Sequence, residues 1–192
     1  IAERHADHAR PGMASILATP ETLRIAAVRF GEAAFGSQQA LPLGETIQLG
    51  DVTLRLAPSG HVLGAAQVVI EKGGQRAVVS GDYKRAEDPT CAPFEPVPCD
   101  LFVTEATFGL PVFRMPPVAG QIAKLLASLE RSPDRTHAIG VYALGKAQRL
   151  IAELRRAGWQ RTIHLHGALV KLCTLYEHLG VPPGPLAHAT VA

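Results

Sequence analysis

The stretch AQVVIEKGGQRAVVSGD, residues 66–82, determines how the first half of the chain folds. It contains two apolar runs, Val68 to Ile70 and Ala77 to Val79, on either side of Gly73-Gly74. Adjacent glycines supply the positive φ angles of a tight hairpin turn, and β-branched residues favour the flanking strands. This stretch is therefore predicted to be a β-hairpin, with Asp82 just beyond the end of its second strand.

Strand-like patterns continue on both sides of this hairpin. Between Thr46 and Leu56, apolar residues alternate with polar ones around Gly50-Asp51, which predicts two further short strands. The stretch DLFVTEATFG (100–109) is predicted to be an apolar strand that ends in polar residues. Nearer the start of the chain, apolar residues at helical spacing between Pro20 and Gly31 predict a helix.

The pattern changes after residue 111, where helical and strand-like segments alternate. Helices are predicted around Val118–Leu129, in KAQRLIAELRRAG (146–158) and in VKLCTLYEHLG (170–180). A buried strand is predicted in HAIGVYAL (137–144), and another strand in TIHLHGAL (162–169). Such alternation is typical of a parallel α/β unit. We therefore predict an α/β protein with a strand-rich part, residues 1–111, and an α/β part, residues 112–192.

Composition restricts the class of protein without identifying it. Apolar residues make up 47% of the chain, which is enough for a hydrophobic core. No apolar run is long enough to span a membrane, and no signal peptide is recognised. The three cysteines show no CxxC spacing, so a reducing cytoplasm is the expected location. The net charge of +2 is consistent with a nucleic-acid partner but does not distinguish nucleic-acid-binding proteins from other classes.

Three separated stretches carry side chains that suit divalent metal ions. HADH contains His5, Asp7 and His8, PSGHVLGAAQ (58–67) places His61 between two glycines, and Asp82 follows the predicted hairpin. Imidazole and carboxylate groups are ligands for zinc and manganese, and water bound to such a metal becomes a nucleophile at neutral pH. HADH alone is equally typical of an ordinary polar turn, and the stretches with His61 and Asp82, each taken alone, are more typical of such a turn than of a metal site. Their succession, with each at the end of a strand, predicts a metal site.

The same stretches carry a family resemblance that covers essentially the whole chain. RHADHARPG (4–12), PSGHVLGAAQ, SGDYKRAEDPTCAPFEPVPCDLFVTEATFGLP (80–111) and YALGKAQRL (142–150) together resemble the β-CASP nuclease branch of the metallo-β-lactamase fold. The similarity is greatest to the bacterial DNA-ligase-associated exonucleases. It implies part of an αββα sandwich, followed by the incomplete beginning of an inserted parallel α/β domain.

The resemblance also implies a centre of two divalent metal ions, with zinc expected and manganese as the alternative. His5 and His61 would bind the first metal, Asp7 and His8 the second, and Asp82 would bridge both. Asp7 would also orient a hydroxide that attacks a phosphodiester bond. The implied function is exonucleolytic cleavage of DNA during repair, in the cytoplasm.

Further roles follow from the same resemblance. Glu105, in TEATFG, matches an acidic residue that supports a catalytic histidine further along the chain. An ATP-dependent DNA ligase and a helicase are the implied protein partners, and RNA is the alternative substrate.

The chain departs from the family pattern at two places. The family motif is HxHxDH, and Glu3 occupies its first position, which makes Glu3 an additional candidate metal ligand. The two histidines that follow the inserted domain in the family have no counterpart in this sequence. The chain is therefore expected to be a central fragment of a longer nuclease that lacks part of the active site.

A phosphate-binding loop is a competing interpretation of GVYALGKA (140–147), which has the spacing GxxxxGK. Ala147 stands where a P-loop needs serine or threonine for magnesium, and the loop interior is apolar, so nucleotide hydrolysis is disfavoured. Binding of a phosphate without nucleotide hydrolysis remains an open interpretation. The N-terminus of the following helix, with Lys146 and Arg149, is predicted to bind a nucleic-acid backbone phosphate, although a solvated basic helix face fits the pattern equally well.

Three other interpretations keep the same fold. Metallo-β-lactamase-like hydrolases also cleave thioesters and lactams, and HxDH alone does not exclude these reactions. A truncated or degenerate domain that binds nucleic acid without cutting it would also explain Glu3 and the absent histidines. An RNA-processing nuclease of the same fold is the third alternative.

Overall fold

The structure is a computed structural model that describes residues 10–189. The chain divides into two units, Ile1–Glu105 and Ala106–Ala192. The boundary predicted from the sequence, between residues 111 and 112, lies six residues further along the chain. Glu3, His5, Asp7 and His8 fall outside the described residues.

A five-stranded sheet forms the centre of the first unit. Its first four strands form an antiparallel meander, and the fifth pairs in parallel with the fourth. Both predicted hairpins are confirmed, because the strands meet at the Gly50-Asp51 and Gly73-Gly74 turns. The strands in order are β3 (Thr46–Leu49), β4 (Val52–Pro58), β5 (Ala66–Lys72), β6 (Gln75–Val79) and β7 (Leu101–Val103).

Both faces of this sheet are packed against apolar side chains. Leu56 and Ala57 are neighbours in β4, so they point to opposite faces, and both are almost completely buried. Leu56 packs with Leu41, whereas Ala57 packs with Val69 and Val78. A strand buried on both sides needs a layer of structure on each side.

A smaller parallel pair of strands precedes the sheet in the chain. It consists of β1 (Ser15–Ala18) and β2 (Ser37–Ala40), which are connected through helix α1 (Pro20–Phe30). The predicted helix is therefore confirmed with Pro20 as its first residue, a position that tolerates proline because it needs no hydrogen-bond donor. The two short strands were not predicted.

Helices dominate the second unit, together with one short parallel pair of strands. The predicted helices are confirmed, and none of the helices within residues 10–189 is long and apolar enough to cross a membrane. A core within this unit contains Ile151, Leu165 and Cys173. Burial raises the pKa of the Cys173 thiol, which favours its protonated form. The elements are α2 (Val118–Arg131), α3 (Lys146–Arg156), β8 (Ile163–Leu165), α4 (Gly167–His178) and β9 (Leu186–His188).

The prediction of a buried strand in HAIGVYAL (137–144) is wrong. Residues 138–142 have no regular secondary structure, and their side chains are exposed, Tyr142 by 68%. Within the described part of the second unit, β8 pairs with β9 alone. Because a strand needs a neighbour to satisfy its backbone groups, an apolar sequence is not sufficient to form one.

Arg155 connects the end of α3 to two loops of the second unit. Its guanidinium donates hydrogen bonds of 2.7–2.8 Å to four backbone carbonyl oxygens, those of Trp159, Arg161, Pro183 and Pro185. Burial lowers its pKa from the ordinary arginine value. One planar group with five donors can satisfy this many acceptors, and a lysine ammonium cannot match its geometry.

We expect Arg155→Ala to lower the free energy of unfolding by about 3 kcal/mol, because four carbonyl oxygens would lose a charged donor, while water can replace it at the two exposed ones, those of Arg161 and Pro185. Urea denaturation measures this loss. Lys171→Ala, at an exposed position of α4, serves as the control and should have little effect. Equal losses in the two variants would contradict the stabilising role of Arg155.

Candidate metal centre

Three predicted site residues lie beyond strand ends on one side of the central sheet. His61 is in the loop after β4, Asp82 is three residues after β6, and Glu105 is two residues after β7. β4, β6 and β7 run in the same direction, so their carboxyl ends meet at one edge of the sheet. The strand directions therefore place these three loops along the same edge of the sheet.

His61 and Asp82 are close enough to bind a common metal ion. Their Nε2 and Oδ2 atoms are 3.8 Å apart, and both side chains are partly exposed, by 21% and 29%. This distance is too long for a hydrogen bond. Two ligands that each bind zinc at about 2.0–2.2 Å can be separated by up to about 4.4 Å, and tetrahedral geometry places them about 3.4 Å apart. The two donors therefore fit a shared divalent ion.

The other predicted ligands are not tested by the structure. Glu3, His5, Asp7 and His8 precede the described residues. Within residues 10–189, no group of three or more His, Cys, Asp and Glu side chains is placed to hold a metal ion. Three of the five principal predicted ligands lie in residues 5–8, so the complete ligand set remains a prediction.

The loop that carries His61 is held at its first end by Gly60. With φ of +69°, Gly60 packs so closely that an added Cβ would lie 2.4 Å from the Lys84 carbonyl oxygen and 2.9 Å from the Phe94 nitrogen. In addition, the Lys84 N–H donates to the Ser59 carbonyl oxygen at 3.0 Å. The segment that follows Asp82 is therefore packed directly against the backbone that presents His61.

The second end of the same loop is held by the start of α1. The hydroxyl groups of Thr19 and Thr22 donate to the Gly64 carbonyl oxygen at 2.7 and 2.9 Å. All three residues are buried, and a Cβ on Gly64 would lie 2.8 Å from the Thr22 nitrogen. The two glycines around His61 thus allow backbone contacts on both sides that no other residue type would permit.

Glu105 is half-buried at the end of β7, next to the loop of Asp82. The Ser80 N–H donates to the Val103 carbonyl oxygen at 2.9 Å, and the hydroxyl groups of Ser80 and Thr104 are 3.2 Å apart. These contacts connect the two loops just before Asp82 and Glu105. The role of Glu105 as the support of a catalytic histidine remains a prediction.

Lys146 and Arg149 lie in the first turn of α3, as predicted. The Lys146 ammonium is 4.6 Å from the centre of the Tyr142 ring, and the Arg149 guanidinium is 3.9 Å from Glu153. The backbone N–H groups of Gly145, Lys146 and Ala147 already have acceptors within this turn. A phosphate here would therefore be held mainly by side chains, and this binding site remains a prediction.

Several curated proteins are similar to this chain. A probable DNA ligase of Opitutus terrae is 32% identical over 153 residues, 76% of this chain and 15% of that protein. Endoribonuclease ysh1 of Aspergillus fumigatus is 35% identical over 58% of this chain and 14% of its own length. Cleavage and polyadenylation specificity factor subunit 3 of Dictyostelium discoideum is 33% identical over 60% of this chain and 16% of its length. No protein-family profile matches the chain.

A solved structure has a similar fold. A protein of unknown function from Enterococcus faecalis superposes with a TM-score of 0.61 at 16% identity, covering 100% of this chain and 51% of that one. At this identity the likeness concerns the fold alone.

These relatives identify the family. The chain belongs to the β-CASP branch of the metallo-β-lactamase nucleases, the family that its motifs resemble. It spans between 14% and 16% of the length of the three curated relatives named above.

Two groups of residues around the His61 loop were not predicted from the sequence. Thr19 and Thr22 hold the loop from α1, and Lys84 and Asp88 lie beside it in SGDYKRAEDPT. The only signals in the sequence were a threonine before Pro20, typical of a helix N-cap, and a lysine four residues before an aspartate. Neither signal indicates which distant loop the side chain contacts.

Proposed function

We propose that the protein is a metal-dependent phosphodiesterase that cleaves nucleic acid. The observation that supports this most directly is the 3.8 Å separation of His61 Nε2 and Asp82 Oδ2 at the carboxyl edge of the sheet. We further propose that His5, Asp7 and His8 complete the ligand set and that two zinc or manganese ions are bound. The partly exposed position of both donors leaves room for a substrate phosphate.

Divalent ions at such a site would supply a hydroxide at neutral pH and stabilise negative charge on the phosphate oxygens. The protein's own residues would provide position and charge. Asp82 has two carboxylate oxygens, so it can be shared between two ions, and Asp7 would orient the nucleophile. Glu105 would hold a catalytic histidine in the orientation needed to protonate the leaving oxygen.

The fold that we propose around this site is the αββα sandwich of the family. The central sheet supports this proposal because β4 buries Leu56 on one face and Ala57 on the other. A sheet covered on both faces is the arrangement that a layered sandwich requires.

Charge is distributed unequally between the two units, in a way that supports a nucleic-acid substrate. The second unit, residues 106–192, contains ten Lys and Arg residues and four Asp and Glu residues, a net charge of +6. The first unit, residues 1–105, contains nine Lys and Arg residues and thirteen Asp and Glu residues, a net charge of −4. A positive unit attracts phosphates, while a carboxylate-rich unit suits metal ions.

DNA is the substrate that we propose first, with exonucleolytic cleavage beside a DNA ligase. The relative that supports it is the probable DNA ligase of Opitutus terrae, whose match covers 76% of this chain. RNA is the second candidate, because other relatives are endoribonucleases and cleavage and polyadenylation factors that match 56–73% of the chain.

A nuclease assay on the full-length protein distinguishes these candidates. Single- and double-stranded DNA and RNA, labelled at the 5′ or 3′ end, are incubated with zinc or manganese. We expect DNA to be shortened progressively from one end, and chelation of the metal to stop the reaction. Faster cleavage of RNA at internal positions would favour the second candidate. Binding of nucleic acid without cleavage under any metal condition would contradict both and would favour a non-enzymatic domain.

A further inference from the structure

We propose that Lys84 is a positioning residue that keeps His61 and Asp82 within reach of one metal ion. This inference rests on the proposed function, since it concerns the same site. Lys84 is two residues after Asp82 in the chain, and its side chain reaches back to the backbone of His61. One residue thus connects the two loops that supply the candidate ligands.

Lys84 contacts three consecutive residues of the His61 loop. Its N–H donates to the Ser59 carbonyl oxygen at 3.0 Å, and its own carbonyl oxygen faces the space beside Gly60. Its ammonium lies 3.4 Å from the His61 carbonyl oxygen. A movement of the segment after Asp82 would therefore be transmitted directly to the backbone of His61.

The ammonium group of Lys84 is itself held in place by Asp88. The Asp88 side chain is 3% exposed, and one of its carboxylate oxygens pairs with the Lys84 ammonium. Its other oxygen accepts from the Thr90 N–H at 2.9 Å and from the Thr90 hydroxyl at 2.6 Å. Since this buried carboxylate holds the ammonium with one oxygen and is itself held by Thr90 through the other, the ammonium has little freedom to leave the His61 carbonyl.

Aromatic packing fixes the rest of the same segment. Tyr83, between Asp82 and Lys84, packs against Phe94 with ring centres 5.2 Å apart and against Phe102 of β7 at 6.3 Å. The backbone of the Asp82 segment is therefore held against the sheet. Lys84 extends this rigidity to the His61 loop through its N–H to Ser59 and its ammonium to the His61 carbonyl oxygen.

The test uses Lys84→Met in the full-length protein, because methionine keeps an unbranched side chain and removes the ammonium. Two measurements are made: hydrogen exchange in the metal-free protein and the Kd for Zn²⁺. We expect the amides of Ser59 and Ala65, which donate to the carbonyl oxygens of Ala65 and Val62 respectively, to exchange at least about tenfold faster. We expect the Kd to rise by about 10- to 100-fold, the usual effect of losing a group that orients a metal ligand.

Two further variants separate positioning from general stability. Lys72→Met removes a lysine of the same sheet that pairs with Asp51 at 3.0 Å and is largely exposed, and it should change neither measurement. Lys84→Arg keeps the positive charge and should restore most of the zinc affinity. A purely structural role would instead accelerate exchange throughout the sheet and leave the Kd unchanged once the protein is folded.

The outcomes are distinguishable from a failure of the proposed function. Unchanged loop exchange and unchanged Kd in Lys84→Met would overturn the inference. Faster exchange that spreads over the whole sheet would overturn it as well. If the wild-type protein binds no zinc but loop exchange is still faster in Lys84→Met, the contact between Lys84 and the His61 loop is supported and the proposed metal-dependent function is contradicted.

Discussion

Replacing Asp82 with asparagine should abolish cleavage of nucleic acid while leaving the fold intact. The amide has nearly the same shape but no negative charge, so it cannot bridge two cations. Metal ions contribute several kcal/mol of charge stabilisation in such reactions, and a loss of about 4 kcal/mol corresponds to about a thousandfold lower rate. Stability should change little, because Asp82 is partly exposed on a loop beyond β6.

The matched control for this variant is Asp51→Asn. Asp51 is at the opposite end of the same sheet, where its exposed carboxylate pairs with Lys72. An exposed ion pair contributes about 0–1 kcal/mol, so this change should affect neither cleavage nor stability appreciably. Rates are measured on labelled substrate and unfolding by urea. Full activity of Asp82→Asn would remove Asp82 from the proposed metal centre.

Replacing Gly60 with alanine should have the second large effect, on both stability and zinc affinity. The added Cβ would lie 2.4 Å from the Lys84 carbonyl oxygen, a backbone atom that cannot move aside without shifting the loop. Backbone strain at positive φ and overpacking each cost about 1–3 kcal/mol. We therefore expect the free energy of unfolding to fall by about 3–4 kcal/mol, and zinc binding to weaken because His61 is displaced.

Gly50→Ala provides the matched control, because Gly50 has nearly the same φ, +61° against +69°, and open space where its Cβ would be. Its cost should be limited to the backbone strain, about 1–2 kcal/mol. Thermal or urea unfolding of both variants gives the difference that is due to the contact with Lys84. Equal costs would show that this contact does not hold the His61 loop.

Much of the fold was predictable because its patterns are local. The two hairpins follow from alternation around glycine turns, and the helices follow from apolar spacing with a proline or glycine at an end. The strands β1 and β2 were missed because their pairing is parallel and distant in sequence, Ser15 with Ser37. All four side chains of β2 are exposed, so no alternating pattern marks it.

At residues 137–144 a strand was predicted that the structure does not contain, and the cause is related. Ala138, Ile139 and Val141 form an apolar run that is typical of a buried strand. Whether such a run becomes a strand depends on the presence of a neighbouring strand, which local sequence does not specify.

The site was predictable where it depends on strand ends. His61, Asp82 and Glu105 lie beyond the ends of β4, β6 and β7, as the patterns indicated, and the strand pairing brings the three loops to one edge. The metal-binding role of these residues remains a prediction. The contacts of Lys84 and Thr19 with the His61 loop depend on tertiary packing between distant segments, so no spacing rule could have indicated them.

The most direct test of the proposed metal centre is the position of bound metal in crystals of the full-length protein grown with zinc. Anomalous diffraction at the zinc edge locates each ion independently of any assumption about its ligands. We expect two ions, one bound by His5 and His61, the other by Asp7 and His8, and Asp82 shared between them. Zinc bound elsewhere, with His61 and Asp82 both outside its coordination sphere, would contradict the proposal.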